Sequence, residues 1–202
     1  MEALVFLAIA FPLVIIIGFI QMARADAEKA KREKTYREMQ DGYIKENDVP
    51  DKIKIESGIN RVLVDEDEEL LYLSNSETEG RYEPFVIISF SAVLGSETIV
   101  DGKSETKVSG GIGRAVVGGM LAGGAGAIVG AATGKSVSED KITSYKVQLY
   151  LDDMEEPLFV FNLINSSIAV DKNSAEYRNA VEFSNRLNAI VRIIINRNGA
   201  ES

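Results

Sequence analysis

The residues whose types and spacing come nearest to chemistry are Gly134-Lys135-Ser136, which match the end of a phosphate-binding loop. That loop cradles phosphates with backbone N–H groups and needs a glycine five positions before the glycine of its GKS ending. Val129 stands there instead, and Ala/Gly-rich sequence precedes it where a buried strand is required. Asp152/Asp153 and Glu155/Glu156 are paired carboxylates, and Asp65–Glu68 is an acidic run. All of them fall in turns between apolar strands, where solvated carboxylates need no acid/base or calcium-binding role. The chain has no histidine and no cysteine. The commonest general base and metal ligand are therefore missing, as is every Ser-His, Cys-His or thiolate nucleophile. No catalytic, cofactor or metal site is expected. With a net charge of −9, nucleic acid is excluded as a partner, because phosphates are neutralised by Lys and Arg.

What remains is the segment around that lysine. Gly110 to Gly134, GGIGRAVVGGMLAGGAGAIVGAATG, holds ten of the seventeen glycines and a single charge, Arg114. Gly119 and Gly123 are four apart, and Gly126, Gly130 and Gly134 continue that spacing. On a helix these glycines form one face that lets a second backbone approach closely, so they are the candidate membrane-contact or self-association residues. The Gly123-Gly124 pair divides the run into two helices of about ten residues, each too short to span a bilayer. One crossing would separate the strands before and after it on opposite sides of a membrane. A helical hairpin at 110–134 that returns to one side is expected, either contacting the membrane or packed in water.

The remaining elements must position this segment. Residues 1–23 carry an uncharged run from Ala3 to Ala23, long enough to cross a bilayer as one helix, with Pro12 inside it. Ala23-Arg24-Ala25 resembles a signal-peptide cleavage site, but the run is preceded by Met-Glu with no basic residue and is longer than a signal core. An uncleaved transmembrane anchor is expected. The basic residues all follow it (Arg24, Lys29, Lys31, Arg32, Lys34, Arg37), placing the N-terminus outside and the rest in the cytoplasm. Residues 24–42 read as a solvated helical stalk with Glu28/Arg32 and Glu33/Arg37 pairs, stopped at Gly42.

From residue 51 the period changes to two. DKIKIES, NRVLV, ELLYL, PFVIISF, VLGSETIV, KSETKV, KITSYKVQLYL and PLFVFNLI read as seven or eight short antiparallel strands. Asp101-Gly102 is the strongest hairpin signal. Asn173 with Glu176 forms a capping pattern for a final helix. Its apolar stripe is Ala180, Phe183, Leu187, Ile190, Val191 and Ile194, and Gly199 closes it. The fold class is α+β: a β-sandwich or open barrel over 51–198 capped by a C-terminal helix.

Strands followed by one helix resemble the pleckstrin-homology-like (PH-like) superfamily. ISFSAVLGSETIVDGKSETK, GRAVVGGMLAGGAGAIVGAATG, KVQLYLDD and PLFVFNL are similar to a group of bacterial PH-like proteins with a glycine-zipper insertion. Some of that group carry a SHOCT helix motif, which is absent here. The resemblance implies a membrane-anchored, non-enzymatic binding or scaffolding protein, with phosphoinositide binding disfavoured because residues 53–202 retain a charge of about −8. The alternative is a membrane-active or self-associating protein acting through the hairpin. The expected partners are the lipid bilayer, a second copy of the chain and a protein of unknown identity.

Overall fold

The computed structural model describes residues 2–75, 83–109 and 140–200; the side chains of residues 2–17, 19, 22 and 26 lie outside that description. Among the described residues, eight strands form two four-stranded antiparallel sheets. The first holds β1 (Ile53–Ser57), β2 (Asn60–Asp65), β3 (Leu70–Ser74) and β4 (Val86–Ser89) in chain order. A 3-10 turn at Phe90–Ala92 leads into the second, built from β5 (Val93–Val100), β6 (Lys103–Ser109), β7 (Lys141–Leu151) and β8 (Leu158–Asp171), in the order β6-β5-β7-β8. Helix α1 spans Glu2–Glu46 and α2 spans Ala175–Ala200.

The alternation read from sequence is the physical cause of the sandwich. Val147, Leu149 and Leu151 on β7 face inward with Val62, Val64, Leu71 and Leu73 of the first sheet. The stripe on α2 closes the core: Phe183 packs its ring 5.1 Å from that of Phe161. One polar cluster fixes how α2 lies on β5. Asn188 receives a hydrogen bond from the Ser96 hydroxyl at 2.7 Å and donates to Thr98 at 3.0 Å, and Thr98 and Ser184 share another at 2.7 Å. All four are buried, so each must find its partner inside the protein.

Local chemistry decides the boundaries. Asp101 and Gly102 both have positive φ, 46° and 80°, the signature of a type I′ turn joining β5 to β6. The α2 cap differs from expectation. Ser174, one residue beyond Asn173, accepts the Tyr177 N–H at 3.1 Å, and the Asp171 carboxylate holds the Asn173 N–H in the preceding turn. Gly199 lies inside the last turn and does not close the helix.

Gly95 is required by close approach. An added Cβ would stand 2.5 Å from the Val108 carbonyl oxygen, a backbone atom that cannot turn aside. Gly95→Ala is therefore expected to cost about 2–3 kcal/mol through forced backbone movement. An unchanged melting temperature would contradict that contact.

Candidate functional site

The largest departure from the sequence reading is at the N-terminal helix. Its last turns do not form a solvated stalk ending at Gly42; α1 runs on to Glu46 and packs against the outer face of the first sheet. Val49, Leu63 and Phe85 are buried together there, with Tyr43, Ile44 and Tyr72 against them. Tyr36 is 3 % exposed; its hydroxyl donates to the Pro84 carbonyl at 2.9 Å and lies 2.8 Å from the Ser74 hydroxyl. The Gln40 amide donates to the Ile59 carbonyl and to Ser74. Residues 27–34 are exposed apart from half-buried Glu33, and their ion pairs, Lys29–Glu33 and Lys34–Glu38, are of the weak helical i, i+4 kind.

Charges tie the same interface. Arg61, 4 % exposed, bridges Asp41 of α1 at 2.7 Å and Glu56 of β1 at 3.2 Å. Arg37 also reaches Glu56, at 3.3 Å, in place of the expected Glu33. Burial acts to raise the Glu56 pKa, but hydrogen bonds and charge from Lys54 and Arg61 outweigh it and hold the carboxyl below its usual 4.5. A depressed carboxyl contributes stability above its unfolded pKa and loses that contribution as pH falls through the folded value. The urea midpoint should be level from neutrality down to about pH 5 and fall below that. Glu56→Gln should flatten part of the fall; an identical pH profile in the variant would remove Glu56 from the account.

The five glycines expected to carry function, Gly119, Gly123, Gly126, Gly130 and Gly134, lie outside the described residues, as does the hairpin at 110–134. The base from which that segment departs is described. β5 pairs with β7 directly, Val100 opposite Tyr145, so everything from Gly102 to Thr143 is an excursion between two adjacent strands. Asp101 clamps its root: the Asp101 carboxylate accepts the Thr143 and Ser144 N–H groups, both at 2.9 Å, and the Thr143 hydroxyl at 3.0 Å. β6 belongs to the excursion and ends at Ser109 opposite Gly95. The chain resumes at Asp140, three positions beyond Thr143 and past the other end of β5. The two ends of the glycine segment are thus separated by nine or so strand residues, roughly 30 Å at ~3.3 Å per residue. The sheet order sets the two ends at opposite ends of β5; the expected hairpin between them lies outside the described residues.

The outer face of the second sheet holds a second unforeseen feature. Tyr150, on the β7 face opposite Val147, Leu149 and Leu151, is 4 % exposed. Its hydroxyl donates to the Glu97 carboxylate and Lys107 lies over its ring, 5.6 Å from the centroid. Burial, and then the Glu97 contact, push its pKa well above the usual range for tyrosine. Gly95 is its partner across the ladder.

The carboxylate pairs behave as turn residues. Asp153 accepts the N–H groups of Glu155 and Glu156, which hold its carboxyl below the usual range. Asp65 does the same for Asp67 and Glu68. Among the described residues, no group of three or more acidic side chains is placed to hold a metal ion.

Two orthodox antiparallel sheets closed by a C-terminal helix define a PH-like domain. Residues 51–165 match the family model of the glycine zipper containing PH domain, and the chain belongs to that family. No curated protein and no solved structure matches the chain. Among the described residues no helix is long and apolar enough to cross a membrane; the expected anchor, 1–23, lies largely where side chains are not described.

Proposed function

We propose that this protein is a membrane-anchored, non-enzymatic binding or scaffolding module. The uncharged run Ala3–Ala23 is the anchor, with the N-terminus outside and the PH-like domain in the cytoplasm of a single-pass protein. The observation that carries the reading is α1 itself. One helix runs from Glu2 to Glu46, so the apolar run and the side chains gripping the domain are parts of one element. A continuous helix holds the domain at a set distance and orientation in a way a flexible linker cannot. The glycine segment supplies a second contact with the bilayer or with a second copy, through the face of Gly119, Gly123, Gly126, Gly130 and Gly134.

The test is fractionation. The intact chain should stay with membranes through alkaline carbonate washing, whereas a chain lacking residues 1–23 should be released by it. Release of the intact chain would sink the anchor. Gly126→Leu with Gly130→Leu should abolish crosslinked dimers if the glycine face joins copies; unchanged crosslinking rules out that contact.

A further inference from the structure

The two helices and the hydrogen bonds along them show which end of the domain α1 enters. Arg37 donates to the Gly58 carbonyl and Tyr36 to that of Pro84, at the β1–β2 turn and the start of β4. Three or four residues later Gln40 is at Ile59 and Asp41 at Arg61, and the helix then passes Leu63. It therefore runs in the direction of β2, with its N-terminal part projecting beyond the β1–β2 turn.

α2 runs the same way. Phe183 and Glu182 lie beside Ile55 and Glu56, Arg186 donates to the Lys54 carbonyl, and Arg197 and Asn198 reach Glu66 and Phe90. That sequence leads from the β1–β2 turn to the β2–β3 turn. The N-terminus of α2 accordingly sits at the end from which α1 emerges. There the Lys172 N–H donates to the Asp140 carbonyl, Lys141 pairs with Asp171, and β8 bulges over Ser166–Ala169. Ile168 in that bulge is 76 % exposed. Lys103, Lys141 and Lys172 lie at the same end, all exposed, interleaved with the exposed Asp101, Asp140 and Asp171.

The other end is strongly acidic. The Asp65–Glu69 turn and the Asp152–Glu156 turn both meet the 3-10 turn, since Phe90 N–H donates to the Glu69 carbonyl and Asp152 N–H to that of Ala92. Those two turns carry five and four carboxylates, with Arg197 pairing to Glu66. Met154 is fully exposed there.

We infer that the end bearing Ile168, Lys103, Lys141 and Lys172 faces the lipid surface, and that the acidic end points away from it. The inference rests on the anchored reading above. Its partner is the bilayer in which α1 is held. From Ala23 to Tyr36 the helix rises on the order of 20 Å at ~1.5 Å per residue, and the domain extends back along that rise toward the bilayer. An anionic leaflet repels the nine carboxylates of the far end more strongly than the mixture of lysines and aspartates at this one, so charge and helix direction select the same orientation.

The chain has no native cysteine, which allows single labels. Ile168→Cys, Lys172→Cys and Met154→Cys, each in the full chain, would carry an environment-sensitive fluorophore. Each is reconstituted in phosphatidylcholine–phosphatidylglycerol vesicles containing a headgroup-nitroxide lipid. Quenching at 168 and 172 should exceed that at 154 by about twofold or more, because the headgroup layer is thin. Equal quenching, or more at 154, in a chain that floats with the vesicles overturns the orientation and leaves the anchor standing. A chain that does not float overturns both. All three positions are exposed, and a matched melting temperature for the three variants confirms that each is folded.

Discussion

A chain that begins at Asp51 is expected to be unstable and to aggregate, while one that begins at Ala30 keeps the full stability of the intact protein. The family match starts at residue 51, yet the outer face of the first sheet is covered by residues before it. Removing them strips Tyr36 and Val49 from the domain and exposes Leu63 and Phe85, all buried in the intact chain. Full burial of each such side chain contributes about 1.5–3 kcal/mol, so the loss is on the order of 5 kcal/mol or more. A domain of this size is stable by only about 5–15 kcal/mol. Arg61 would also lose Asp41, and Ser74, buried at 0 % exposure, would lose Tyr36 and Gln40. Residues before Ala30 make no such contacts among the described side chains, so their removal should leave the urea midpoint unchanged. Equal midpoints for chains beginning at 30 and 51 would refute the docked role of α1.

The second large effect concerns the excursion. Replacing Gly102–Thr143 by Asn-Gly should leave a folded domain, since Asp101 and Ser144 are already hydrogen-bonded neighbours, Asp101 N–H to the Ser144 carbonyl at 3.0 Å. Asn-Gly is suited to the two-residue turn such a pair requires. The cost is the buried side chains of Val108 and Ile142, on the order of 4 kcal/mol or more together. The effect on membrane association should be far larger. Of two chains lacking residues 1–23, the one that keeps the excursion should still sediment in part with vesicles at neutral pH, and the one without it should remain wholly in solution. Equal sedimentation by the two would show that the glycine segment makes no membrane contact.

These expectations divide between what nearest neighbours specify and what they do not. Asp-Gly can take two positive φ values in succession, so the β5–β6 turn was legible from two letters. The period-2 runs of β1 to β8 and the stripe of α2 were legible too, because burial of one face repeats along an element and leaves its pattern in the chain. The glycine face was legible as a spacing; where its two ends emerge was not. That depends on β7 pairing with β5 rather than with β6, a long-range choice with no local signal. The docking of α1 was illegible for a similar reason. Tyr36 and Gln40 sit in a highly charged helix whose composition reads as solvated, and only the arrival of Ser74 and Pro84 from distant strands makes them interior. Tyr150 alternates onto the face opposite Val147, Leu149 and Leu151, yet Glu97 and Lys107 from neighbouring strands cover it. Amino-acid order by itself determined the elements, their turns, the absence of histidine and cysteine, and the apolar run at the N-terminus. Tertiary structure alone decided where the domain begins and which ends of it the two attached segments leave from, because burial across sheets is a property of partners far apart in sequence.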